Sequence, residues 1–218
     1  MKYLLIGDCH GQVDYLDKIY SECNKVGLKT IQIGDMGFRE TYQYLNKNQH
    51  SATHKFIPGN HEYYDSLPKH ALGDYGMYNE VFFVRGGFSI DHMRRTIGES
   101  WFPQEELSRQ ERADCLDLYK KLKPDIVLSH EAPLSIVHNF TDPGFLVNWG
   151  YNPKTFETKT QNLLQEMFEF HRPKFWAFGH YHRKWEGTIN GTYFRLLNIL
   201  EPYLLDTDLW TSSSTSPG

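Results

Sequence analysis

Short apolar runs along the chain alternate with stretches whose apolar residues recur every three or four positions. The first run, Tyr3-Leu4-Leu5-Ile6, predicts a strand. After it, Val13, Leu16, Ile19, Tyr20 and Cys23 recur at helical spacing with polar residues between them, which predicts an amphipathic helix. Thr30–Ile33 and His54–Ile57 predict two more strands, and Val81–Val84 with Phe88–Ile90 predicts a hairpin around Gly86-Gly87. Ser108 and Glu111 have the spacing of a capping box, opening a helix that ends near Lys121. Asp125–Leu128 is the next predicted strand. Thr158 and Gln161 cap a helix to about Phe170, which Pro173 stops. Phe175–Phe178 follows as a strand. Lys184–Ile189 and Tyr193–Asn198 then predict a hairpin around Asn190-Gly191. Strands alternating with helices give the class α/β.

Composition narrows this picture. The chain has 218 residues, the size of one α/β domain, and 39% apolar with 15% aromatic residues is enough for a folded core. The expected division is a domain over 1–210 and a low-complexity tail over 211–218. No apolar run approaches the roughly 20 residues of a membrane helix. The apolar start Met1–Ile6 is too short for a signal-peptide core, so the expected compartment is the cytoplasm. Cys9, Cys23 and Cys115 are too few and too scattered for a disulfide framework, and no Cys-x-x-Cys pair offers a thiolate zinc site. A net charge of −4 argues against bulk nucleic-acid affinity, which rests on Lys and Arg.

The candidate chemistry sits where strands end. Gly7-Asp8-Cys9-His10-Gly11, Gly34-Asp35-Met36-Gly37, Pro58-Gly59-Asn60-His61-Glu62, Ser129-His130-Glu131 and Gly179-His180-Tyr181-His182 each follow an apolar run. In α/β sheets, ligands bind outside the carboxyl ends of the strands. Two carboxylates, several imidazoles and one amide oxygen suit borderline divalent cations such as manganese, iron or zinc. Asp-x-His and His-x-His place both side chains on one side of an extended chain. The ligand count fits two metals sharing a carboxylate. A single Gly-Asp or Asp-x-His is ordinary turn chemistry; the ordered set of five is not.

That ordered set, spanning residues 8 to 182, resembles the calcineurin-like metallophosphoesterases. The resemblance implies a four-layer α/β/β/α sandwich with two mixed β-sheets and a metal site at the C-terminal ends of strands. It implies that Asp8, His10 and His182 hold one metal, that Asn60, His130 and His180 hold a second, and that Asp35 bridges them. Two divalent ions are then the cofactors, manganese first, with iron, zinc or nickel as alternatives. The implied reaction is attack of metal-activated hydroxide on phosphorus, with His61 as general acid. Arg39, four residues after Asp35, matches a substrate-phosphate arginine of the phosphoprotein phosphatase branch. Arg85, Arg94 and Arg95 are rivals for that role. The chain departs from that branch at Phe38, Glu40 and Pro58, which leaves Glu62 and Glu131 as candidates to orient His61. Gly-His-x-His points instead to phosphodiesterase-type members.

Other residues carry plainer expectations. Cys9 points into the core. His50, His54, His70, His92, His138 and His171 belong to no motif. Trp101, Phe102 and Pro103 belong with the core, and residues 139–157 form a long loop that covers the centre. The favoured substrate is a small phosphodiester or nucleotide-like ester. A nuclease or protein phosphatase on the same centre is the alternative, and a non-catalytic scaffold of the same fold is the alternative of another class. Nucleic acid is a partner only under the nuclease reading, and no membrane partner is expected.

Overall fold

The computed structural model describes residues 1–47 and 53–211; His50 and the tail from Ser212 lie outside them. The first half runs β1 (Lys2–Ile6), α1 (Val13–Lys25), β2 (Lys29–Gln32), α2 (Arg39–Lys47), β3 (His54–Phe56), β4 (Tyr75–Tyr78), β5 (Val81–Val84) and α3 (Arg109–Leu122). The second half runs β6 (Ile126–Ser129), α4 (Leu134–Val137), α5 (Pro143–Asn148), α6 (Lys159–Phe170), β7 (Phe175–Phe178), β8 (Trp185–Ile189), β9 (Thr192–Leu196) and β10 (Pro202–Asp206).

Strand residues alternate between faces, and here both faces are apolar. In β1, Tyr3 and Leu5 enter one core cluster while Ile6 enters another. In β5, β6 and β7, Phe83, Leu128 and Ala177 face the cluster of Tyr3, whereas Phe82, Val127 and Trp176 face a third. Each sheet is therefore covered twice. The four-stranded sheet, ordered β10-β1-β2-β3, lies against the six-stranded sheet, ordered β4-β5-β6-β7-β9-β8. Leu16 and Tyr20 of α1 and Tyr42 and Leu45 of α2 cover the outer face of the first. Tyr119 of α3 and Leu164 and Met167 of α6 cover the outer face of the second. The result is a four-layer sandwich of helices, two sheets and helices. Both sheets are mixed: β10 and β8 run antiparallel to their neighbours, while β1, β2 and β3 run parallel.

The structure corrects the expected pairing of Val81–Val84. Its antiparallel partner is β4, joined through Asn79-Glu80 with Asn79 at φ 51°, and Phe88–Ile90 is not a strand. The Gly86-Gly87 pair has a different use. A Cβ at Gly86 would come within 2.3 Å of the Glu105 carbonyl, and one at Gly87 within 3.1 Å of the His130 ring. Gly86 lets the chain pass close to the backbone at Glu105 and Glu106, and Gly87 lets it pass close to His130 and His180. The sequence reading also missed β10, an edge strand that opens on Pro202, where the missing N–H is tolerated. Segment 139–157 is not a bare loop, since it contains α5.

The capping box at α3 is present in both directions: Glu111 N–H donates to Ser108 Oγ at 3.3 Å, and Ser108 N–H to Glu111 Oε2 at 2.7 Å. Ser108→Ala should cost about 1 kcal/mol of stability. In urea unfolding followed by circular dichroism, the midpoint should fall with no change in slope. An unmoved midpoint would mean that packing alone fixes where α3 begins.

Candidate metal centre

Asp8 and His10 follow β1, Asp35 follows β2, and Asn60 and His61 lie beyond β3, so the four-stranded sheet presents them together. His130 follows β6, and His180 and His182 follow β7, in the facing sheet. The centre therefore straddles the seam between the sheets. Backbone N–H groups of Cys9 and His10 donate to the Asp35 carbonyl at 3.0 and 2.7 Å, tying the first two loops together.

Extended alternation is not what aims the histidines. His10, Asp35, His180 and His182 have φ of 48°, 53°, 71° and 50°, in the left-handed region. Such conformations cost on the order of 1–3 kcal/mol each and persist only where surrounding contacts enforce them. Cys9, between two candidate ligands, is buried in the core as expected. The glycines serve close approach as well as turning. A Cβ at Gly179 would lie 2.2 Å from Asp8 Oδ1, and one at Gly34, itself at φ +110°, 1.9 Å from His130 Nδ1.

Two sets of donor atoms converge. In the first, His10 Nε2 lies 2.8 Å from His182 Nε2, and Asp8 Oδ2 lies 3.2 Å from His182 Nε2. Asp35 Oδ2 is 3.7 Å from His10 Nε2. In the second, Asn60 Oδ1 lies 3.0 Å from His130 Nε2 and 2.8 Å from His180 Nδ1, and Asp35 Oδ1 lies 3.2 Å from His130 Nε2. Asp35 belongs to both. Metal bonds of about 2.0–2.2 Å place neighbouring donors about 3–3.5 Å apart, so the donor sets fit divalent cations.

Outer contacts fix which atoms face inward. His130 Nδ1 donates to the Ile33 carbonyl at 3.0 Å, which leaves Nε2 for the centre. The Asn60 amide donates to Ser89 Oγ at 3.0 Å, and that hydroxyl donates to Glu105 Oε2 at 2.6 Å. A hydroxyl has one proton to give, so Ser89 must accept from Asn60, and the Asn60 oxygen is turned inward. Ser89 stood in an apolar run that read as a strand, and Glu105 in no motif; neither had a sequence signal.

The electrostatics follow from burial and crowding. Burial opposes ionisation of Asp35, but His130, His61 and His10 hold its carboxyl well below the usual range. For His130 burial works downward, yet Asp35 pushes it up to about 10. Burial and then His130 push His180 down to about 3. The hydrogen bond to Asp8 raises His182. Cations compete with protons for these same lone pairs.

His61 sits beside both sets. Its N–H donates to Asp35 Oδ1 at 2.8 Å, and its ring stands edge-on to His10 at 5.0 Å. Burial lowers its pKa. Neither candidate glutamate holds the ring. Glu62 accepts from Met36 N, Gly59 N and Tyr42 Oη, pinning the loops around Asp35 and Asn60. Glu131 accepts from Tyr181 Oη and Gln161 Nε2. The group on His61 is Arg95, whose Nη2 donates to Nε2 at 2.7 Å and also pairs with Asp91 Oδ1 at 2.7 Å. Arg39 is placed elsewhere: it is exposed, bonded to Tyr63 Oη and 4.3 Å over the Tyr63 ring. Arg85 is buried against Asp74 and the Gln104 carbonyl, and Arg94 lies over Trp149.

A cavity of about 680 Å³ opens from Asp35, Asn60, His61, His180 and His182. Arg95 lines it, and Arg39 does not. Its lining also includes Phe145, Leu146 and Trp149 of α5 and its C-terminal cap, in the segment expected to cover the centre. Phe102 is buried against Tyr63 and Tyr64, as a core residue, and Trp101 packs on His92.

A family model described as calcineurin-like phosphoesterase matches residues 1–184. The chain belongs to that family. As a calcineurin-like phosphoesterase it is a metal-dependent phosphoester hydrolase. No curated protein matches the chain. Among solved structures, it is similar to the protein TT1561 of Thermus thermophilus, with a TM-score of 0.50 and 12% identity over 91% of this chain and 89% of that one. It is also similar to GAP50, the anchor in the inner membrane complex of Plasmodium, with a TM-score of 0.50 and 10% identity over 91% of this chain and 71% of that one. At these identities the likenesses show the fold.

Ser89→Ala should free the Asn60 amide and weaken the second donor set. Outer contacts of this kind are typically worth about 10–100-fold in metal affinity. Calorimetric titration of manganese into metal-stripped protein should show one of two binding events weakened by that factor. An isotherm like that of the unsubstituted protein would remove Ser89 from the centre.

Proposed function

We propose that this phosphoesterase hydrolyses small phosphodiesters or nucleotide-like esters at a two-cation centre. Asp8, His10 and His182 hold one cation, Asn60, His130 and His180 the other, and Asp35 lies between them. The observation that carries this reading is Asp35, whose two oxygens face two separate donor sets. Two carboxylates, four imidazoles and one amide oxygen suit manganese first, with iron, zinc or nickel as alternatives. The cations, when bound, supply Lewis-acid activation of a water and neutralise phosphate oxygens.

The side chains of this protein do the rest. Arg95 presents a guanidinium fork to the cavity, matched to a pair of phosphate oxygens. A phosphate that engages Arg95 draws it away from His61 Nε2. Once free, that nitrogen takes up a proton from water and gives it to the departing oxygen as general acid. Arg95 thus takes the substrate-phosphate role that the family resemblance suggested for Arg39. The wall at α5 limits water around the reacting group.

A cavity of about 680 Å³ lies in the usual range of small-molecule sites, roughly 300–1,000 Å³. With a net charge of −4, this favours a small ester over a nucleic-acid strand. No helix among the described residues is long and apolar enough to cross a membrane. Three unpaired, buried cysteines suit the reducing cytoplasm.

Metal-stripped protein titrated with manganese should turn over bis(p-nitrophenyl) phosphate, with p-nitrophenyl phosphate as the monoester comparison. His61→Ala should lower kcat by about 10²–10⁴-fold while retaining manganese. Arg95→Ala should lower kcat/KM by about 10–100-fold, and Arg39→Ala by far less. A larger loss at Arg39 than at Arg95 would return the phosphate role to Arg39. Full activity without His61 would remove it as the acid.

A further inference from the structure

The cavity extends well beyond what a phosphate needs. The candidate ligands and His61 line it, and so do Phe88, Phe145, Trp149 and Phe156. We propose that this aromatic part of the cavity is a subsite for an aromatic ring, so that the preferred substrates are phosphoesters bearing an aryl or nucleobase-type ring on one ester arm. The inference rests on the hydrolytic reading above and specifies its substrate.

Three observations carry it. First, the aromatic residues and the candidate metal-ligand cluster line one cavity, so a single small molecule can touch both. Second, the wall is built and braced. Phe88 packs on Phe156 at a centroid distance of 5.8 Å, and Tyr151 on Phe156 at 4.7 Å. Tyr151 Oη donates to the Ile90 carbonyl at 3.3 Å, tying the segment to the strand-end side of the cavity. Asp142 caps α5 by accepting from Gly144 N at 2.9 Å. Arg94 lies over the Trp149 ring at 4.6 Å. Third, the wall keeps apolar surface uncovered. Phe145 is 52% exposed although it lines the cavity, and Trp149 is partly exposed.

An aromatic ring is the occupant that matches these surfaces. Rings meet other rings edge-to-face or offset, with a gain beyond the area they bury. A bare phosphate or a methyl ester would leave the aromatic part filled with water. A flexible alkyl chain would bury area but would gain no ring contact and would lose more rotamer freedom.

Phosphonates test this without turnover, because their carbon–phosphorus bond is not an ester. Calorimetry on the manganese-loaded protein would compare methyl-, butyl- and phenylphosphonate. Phenylphosphonate should bind about tenfold or more tighter than methylphosphonate, the effect of burying one ring, and tighter than butylphosphonate. Phe145→Ala and Trp149→Ala, each checked for folding by circular dichroism, should bring the phenyl-to-methyl affinity ratio down toward one. Equal binding of phenyl- and methylphosphonate would overturn the subsite while leaving the metal centre standing. Butylphosphonate binding as tightly as phenylphosphonate would overturn its aromatic character. A ratio unmoved in both variants would show that the α5 wall is not where the ring sits. Failure to bind manganese at all would overturn the two-cation reading, and the subsite with it.

Discussion

Asp35 is a carboxylate with almost no contact with water, placed among imidazoles where two sheets meet. A buried charge of this kind persists only when it is paired and hydrogen-bonded on every side. His61 N–H and the His130 ring do this directly, and one oxygen faces each donor set. Much of the surrounding architecture serves that requirement. The backbone of Asp35 accepts from the first motif, and Glu62 fixes the Met36 and Gly59 amides on either side of it. Left-handed residues at four candidate ligand positions are the conformational cost of aiming so many donors at one region.

The two sheets divide the labour. Parallel strands of the four-stranded sheet deliver both carboxylates and Asn60, whereas the six-stranded sheet delivers His130, His180 and His182. Neither sheet alone holds a complete centre. Packing of the inter-sheet core, with Leu5, Ile31, Phe83 and Leu128 within it, therefore sets the distances between the candidate metal ligands. Side chains buried on the polar side, such as Ser89 and Glu105, then choose which atom of each ligand turns inward.

Around this fixed centre, the substrate side is built differently. Arg95 is held by Asp91 on one side and by His61 on the other, so its guanidinium is fixed in the cavity lining. The α5 wall comes from a segment outside the strand-end motifs and contributes apolar rings instead of charge. Chemistry is thus concentrated at the sheet ends, and shape is contributed by a connection. This division is common where one fold serves many substrates.

The sequence by itself determined most of the strands, the longer amphipathic helices, the caps of α3 and α6 and the chemical identity of the five strand-end clusters. These follow from local rules: side-chain alternation, helical period, and capping spacing. What it misjudged was pairing and approach. Gly86-Gly87 looked like a hairpin turn because local composition cannot distinguish a turn from a place where a ring needs room. Val81–Val84 was paired with the run after it, whereas in the folded sheet its antiparallel partner is β4, the strand before it. In sequence, spacing from Asp35 favoured Arg39 over Arg95. Their difference is tertiary: the start of α2 carries Arg39 onto Tyr63, while the segment after β5 carries Arg95 onto His61. Ser89 and Glu105 were invisible for the same reason. A positioning contact has no spacing rule, because it depends on where two distant segments meet, and that is decided by the packing of one sheet on the other.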